Sequence, residues 1–162
     1  MTQALEKWSL FEREFYRDGS LRDIYVLDAT PQDWVEAARF LATAYSLRFS
    51  GGWNGATFPS DVLTLFPKTE TDLLSLLSID VCGMHVNCHF FVDDEIEFDV
   101  APEEVISGDR LDAVFGFMKG LATAVGKDAV LTPENMRDIV IFRARPGSDL
   151  VEHSPCGGFG EV

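Results

Sequence analysis

Between His85 and Val100 the chain reads HVNCHFFVDDEIEFDV, and no other stretch limits the fold so tightly. Val86, Phe90, Phe91 and Val92 disfavour helix and suit an extended chain. The acidic break Asp93-Asp94-Glu95 separates this run from a second one, Ile96 to Val100, so a β-hairpin is expected. A three-residue loop sets Val92 opposite Ile96, Phe90 opposite Phe98 and Cys88 opposite Val100, which gathers the apolar side chains on one face. A two-residue loop instead sets Phe90 against Glu97 and Cys88 against Asp99, because a one-residue slip mixes the faces. Burial therefore selects the three-residue register, although the loop lacks the Gly or Asn that a bulge position favours.

The same run holds two histidines, a cysteine, an asparagine and five carboxylates. An extended backbone disperses them. His85 and His89 share a face but stand ~13 Å apart at ~3.3 Å per residue, and Cys88 points to the other face. A shared metal ion is not expected. The selected register does bring His89 against Asp99 and Phe91 against Glu97, and a neighbouring carboxylate is expected to raise the His89 pKa. Asn87, His89, Glu97 and Asp99 thus form a candidate polar face for a small enzyme or ligand-binding domain. A solvated cross-strand ion pair, worth roughly a few tenths of a kcal/mol, accounts for the same residues. Elsewhere, His153 and Cys156 supply two of the four ligands a zinc site wants. Cys82 and Cys88 read as small buried hydrophobes. No nucleophile elbow, Walker loop or dinucleotide fingerprint is present, and no cofactor is implied.

Around this hairpin the pattern alternates between helix and strand. Leu5, Trp8, Phe11 and Phe15 make one helical stripe that ends at Gly19. IYVLDA, from Ile24, is a short strand. TPQDW carries an N-cap, Thr30, with Pro31 at the first helical position and Asp33 at the positive helix end. The sequence YSLRFS follows as a strand. Thr69 can cap a short helix over ETDLLSLL. Ser107 or Asp109 opens a long helix striped by Leu111, Val114, Phe115, Met118, Leu121 and Val125, with Gly126 as its stop. DAVL and DIVIFRA are strands joined by TPENMR. The expected fold is α+β: a single mixed, mainly antiparallel sheet of about five to seven strands, with two main helices packed on one face. Residues 1–146 form one domain and 147–162 a flexible C-terminal tail. Strand–helix–strand occurs twice, Ile24 to Phe49 and Ile96 to Leu131. Both helices end in Leu-Ala-Thr-Ala, which is the signature an old duplication would leave.

Charge narrows the partners. Lys and Arg total 13 against 27 Asp and Glu, a net −14. Phosphate backbones and anionic membranes want the opposite sign, so neither nucleic acid nor a membrane surface is expected. A basic protein partner suits such a chain, because opposite charge accelerates its approach. Three cysteines without a tight pattern point to a reducing, cytoplasmic setting. No signal-peptide order opens the chain, and no apolar run approaches the ~20 residues of a membrane span. GGWNG lacks the lysine of a phosphate loop. Its Trp53, with Phe58, instead makes a candidate aromatic anchor for a partner, rimmed by Asp61 and Glu70. In size, acidity, free thiols and want of a catalytic signature, the whole chain resembles bacterial immunity proteins. That resemblance implies non-catalytic binding that neutralises a cognate toxin, with no residue carried over from the family.

Overall fold

The computed structural model describes residues 2–50 and 58–154. Three helices, α1 (Thr2–Phe11), α2 (Pro31–Ala44) and α3 (Gly108–Val125), accompany eight strands. The strands are β1 (Arg22–Leu27), β2 (Ser46–Ser50), β3 (Leu76–Val81), β4 (Met84–His89), β5 (Glu95–Val100), β6 (Ala129–Pro133), β7 (Phe142–Ala144) and β8 (Val151–His153).

Local signals set the element ends. Thr30 accepts the Asp33 N–H at 3.2 Å while the Asp33 carboxylate accepts the Thr30 N–H at 2.9 Å, a complete capping box with Pro31 behind it. Ser107 caps α3, and Gly126 closes it in the left-handed region at φ 77°. β3 and β4 are joined by Cys82 and Gly83, at φ 54° and 78°, the positive pair that a two-residue hairpin turn needs. Two expectations fail locally. ETDLLSLL makes no helix, because the Asp72 carboxylate takes the Lys68 and Thr69 N–H groups into a turn, and Leu76 already belongs to β3. Leu5 is exposed, so the α1 stripe consists of Trp8 and Phe11, continued by Phe15 in a 3-10 turn.

The strands lie in the order β2-β3-β4-β5-β1-β6-β7-β8. Every neighbouring pair is antiparallel. The α+β class stands, but among the described residues the sheet has eight strands and no parallel neighbours. The reason lies in the crossovers. β1 and β2 run the same way but are kept apart by β3, β4 and β5, and β5 and β6 run the same way with β1 between them. The two strand–helix–strand units are therefore wired differently: one throws its second strand to the far edge, the other to the next position but one. That difference gives the duplication no support.

Two helices were expected on the sheet; α1 is a third, packed on α3. Its Phe11 meets Phe115 at 6.4 Å and Phe142 at 5.3 Å. The core fills the space between this helical layer and one sheet face, with Trp34, Leu41, Phe98, Leu111, Phe117, Met118 and Phe142 all buried. The chain also stays in the sheet beyond Pro146. β8 pairs with β7, Arg145 bonds Glu152 at 2.9 Å, and Ser154 N–H bonds Ile141 O at 2.7 Å. The domain thus reaches at least Ser154, where a tail from residue 147 was expected.

Candidate functional site

The side of the sheet away from the helices carries the polar residues. Alternation puts Ile24, Val26, Phe98 and Cys88 into the core and turns Asp23, Tyr25, Glu97, Asp99, Asn87 and His89 the other way. Cross-strand pairing arranges them in two rows. One runs Asn87, Asp99, Asp23, Thr132, and the other His89, Glu97, Tyr25, Val130.

The hairpin register differs from the expected one by two residues. Cys88 faces Phe98 and Val86 faces Val100, so His89 stands opposite Glu97 and Asn87 opposite Asp99. A slip of two keeps every side chain on its predicted face. Its cause is packing at the hairpin end. Phe90 leaves the ladder to meet Trp34 at 5.5 Å and Phe66 at 5.9 Å, and the Trp34 indole N–H donates to Asp93 O at 2.9 Å. Ala29 N–H holds Asp94 O at 2.8 Å. Pairing therefore stops at His89 and Glu97, and Phe91 and Val92 stay exposed instead of extending the strand.

The expected contact survives diagonally. His89 Nε2 bonds Asp99 Oδ2, and Asn87 Nδ2 donates to Asp99 Oδ1 at 3.1 Å. The Phe91 ring stacks on the imidazole, 4.9 Å away and within 5° of parallel. The Asp99 carboxylate raises the His89 pKa through that hydrogen bond; burial opposes the effect, and the charges of Glu97 and Asp23 add to it.

Three acidic neighbours and a tyrosine complete the face. Asp23 is buried and sits directly opposite Asp99. Its Oδ2 accepts the Tyr25 hydroxyl at 3.0 Å and the Asn135 N–H at 2.7 Å. Burial still holds its carboxyl above the usual range, and the facing Asp99 adds to that. Tyr25 is raised by burial and then by Asp23. Glu95 is buried against Arg137, 2.6 Å away. Glu97 is raised by burial and by Asp23 and Glu95, with His89 acting the other way. Among the described residues its carboxylate has neither an ion pair nor a hydrogen bond.

Asn135 and Arg137 belong to the β6–β7 connection, which crosses over β1 and β5 on this side and explains why acidic residues of an open sheet face are buried. Asp23, Tyr25, Glu95 and Arg137 lie outside the candidates that the sequence offers. The alternation of Asp23, Ile24, Tyr25 and Val26 was the one visible sign that β1 has a polar side.

The other candidates fall elsewhere. His85 pairs with Glu104 at 2.8 Å, away from His89. No group of three or more His, Cys, Asp or Glu side chains among the described residues is placed to hold a metal ion. His153 bonds Glu14 at 3.1 Å, and Cys156 lies outside the described residues. Cys88 is buried, as a small hydrophobe should be, but Cys82 is exposed in its turn. Trp53 lies outside the described residues. Phe58 is half-buried against Phe49, with ring centres 5.7 Å apart, and so is part of the core edge. Asp61 caps a 3-10 turn through Leu63 N–H at 3.1 Å, and Glu70 is exposed farther along the same β2–β3 connection, which packs on α2. The structure therefore joins Asn87, His89, Glu97 and Asp99 in one site and leaves Phe58, Asp61 and Glu70 apart from it. No helix of the described residues is long and apolar enough to cross a membrane. No family model, curated protein or solved structure matches the chain at a significant level.

Proposed function

We propose that this chain is a non-catalytic binding protein whose acidic sheet face receives the basic surface of a protein partner. One observation carries the reading: Glu97 lies among Asp23, Glu95 and Asp99 without a cation of its own, while the nearest positive groups, His89 and Arg137, are spent on Asp99 and Glu95. A partner's guanidinium placed over Glu97 relieves that crowding of like charge. The net charge of −14 extends the attraction beyond contact distance. Exposed Phe91 and Met136 flank the acidic strip and supply the apolar anchors that charge alone does not. Masking a cytoplasmic toxin, as bacterial immunity proteins do, is the finer form of this proposal and rests on resemblance in type.

An arginine-rich peptide titrated into isotope-labelled protein tests the coarse reading. Amide shifts concentrated in β1, β4, β5 and the β6–β7 connection are expected, weakened by salt as exposed charges are screened over ~10 Å at 0.1 M. Glu97→Gln with Phe91→Ala should abolish them. Shifts spread evenly over all acidic surface, or indifferent to that double substitution, refute it. For the finer reading, co-expression with a copurifying basic protein must relieve that protein's toxicity.

A second reading is favoured by the His89–Asp99 contact itself: an imidazole so held, opposite the Glu97 carboxyl that burial raises, can exchange protons with a bound ligand. A pH–binding profile that follows His89 for a small neutral ligand would favour it over the first.

A further inference from the structure

Arg22 poses a problem that the acidic face does not solve. It sits at the start of β1, is only 7% exposed and stands at the wall of a cavity of about 420 Å³. Its guanidinium donates from Nε to Glu14 O at 2.7 Å, from Nη1 to Ser20 Oγ at 3.0 Å and Leu21 O at 2.9 Å, and from Nη2 to Tyr16 O at 3.4 Å. A guanidinium has five N–H donors, so one on Nη2 is left over. None of those acceptors carries a full negative charge. The carboxylates around the cavity are engaged by other groups. Glu14 is held by His153 at 3.1 Å and Arg13 at 3.4 Å, Asp18 by the Ser20 N–H at 2.9 Å, and Glu134 by the Leu21 N–H at 3.1 Å. Among the described residues Arg22 has no ion pair; the Asp18 carboxylate acts on it only from beyond contact distance, and a buried charge without a contacting counter-charge is costly.

Two more features belong to the same cavity. Its volume falls in the range of small-molecule sites, roughly 300–1,000 Å³. Asn135, on its wall, is held at φ 59°, a left-handed conformation uncommon outside glycine and kept here by its N–H bond to Asp23. The lining carries both signs of charge, Arg13 and Arg22 together with Glu14, Asp18 and Glu134, beside apolar Met136 and Ile141. A simple anion would meet those carboxylates and the field of a chain with net charge −14. A simple cation would leave Arg22 as it is.

We propose that this cavity binds a small zwitterion of the α-amino-acid class, its carboxylate against Arg22 and Arg13 and its ammonium against Glu134. Exposed Met136 then faces an apolar ligand side chain. The cavity is distinct from the acidic sheet face, to which it is tied through Glu134, Asn135 and Met136.

Titration of the isotope-labelled chain with glycine, L-leucine, acetate and methylamine tests it. Saturable shifts of the Leu21, Arg22, Glu134 and Asn135 amides are expected with the amino acids, strongest for leucine. Acetate and methylamine should bind about tenfold more weakly or worse. Arg22→Lys keeps the charge and loses the planar fork, and should weaken leucine about tenfold. Because Arg22 also anchors the chain before β1, the double variant Arg13→Ala/Glu134→Gln serves as the second test. It leaves Arg22 in place, and its amide spectrum reports whether it is folded. No shifts with either amino acid, equal affinity for acetate and leucine, or undiminished leucine binding in the folded double variant would each overturn the proposal.

Discussion

Asp99→Asn should change the pH dependence of stability more than stability itself. In the wild type the His89 imidazolium donates to the Asp99 carboxylate, whose side chain is 11% exposed, with His89 at 24%. A hydrogen bond to a charged group is worth about 1.5–3 kcal/mol and a neutral one about 0.5–1.5 kcal/mol. The isosteric Asn keeps an acceptor for the imidazole, so the loss is about 1 kcal/mol while His89 is charged. His89 has its pKa raised above 6.5 in the folded state. Its contribution is therefore complete below the unfolded value and is lost as pH climbs through the folded one. Asp23 and Glu97, also raised by folding, destabilise in the same direction as they ionise. Asp33, lowered by Lys127 and Thr30 against the opposing effect of burial, acts in reverse and loses its contribution as pH falls through and below 3.8. Wild-type stability should peak between those limits. Asp99→Asn should cost about 1 kcal/mol near about pH 5 and nothing near about pH 9, where removing one of three crowded carboxylates offsets the lost bond. Urea unfolding followed by tryptophan fluorescence, with the His89 ring titrated by NMR, measures both quantities. An unchanged His89 midpoint in the variant, or the same loss of stability at both pH values, would refute the account.

Two further substitutions probe the core that carries the site. Gly120→Ala would place a methyl 2.5 Å from Phe40 Cζ and 2.7 Å from Cε2, where α3 passes close to α2. The overpacking of about 1–3 kcal/mol should exceed the ~1 kcal/mol of helix propensity gained, so a lower thermal midpoint is expected, recovered by adding Phe40→Leu. Phe142→Ala removes the ring that Phe115, His153 and Phe11 meet at 4.9, 5.0 and 5.3 Å. It should cost about 3–5 kcal/mol in urea denaturation. Hydrogen exchange in β8 should rise before that in β4.

What could be read from the residues was local or governed by parity. Thr30, Ser107 and Gly126 mark helix ends through bonds that reach three or four residues, so their roles needed no knowledge of the fold. The division of the hairpin into an apolar and a polar side was equally legible, because it depends only on odd and even positions. Its register was not, because Phe90 answers to Trp34 and Phe66 from distant parts of the chain. β8 carries no sequence signal for a related reason: three residues hold no periodicity, and their strand state comes from β7 and from the Arg145–Glu152 pair. The burial of Asp23 and Glu95 was hidden as well, since the connection that covers them is donated from beyond β6.

The position of β1 bears on how the chain is made. It is the first of these eight strands to be synthesised and one of the two innermost in the sheet, and both of its neighbours come later, β5 from Glu95 and β6 from Ala129. At ~5–20 residues per second, the apolar run Ile24 to Leu27 waits on the order of seconds with two open edges. A nascent chain halted before Glu95 therefore presents a sticky, unpaired ribbon that invites holding by chaperones, whereas one halted after Ala144 forgoes, of the eight described strands, the short rim strand β8 alone.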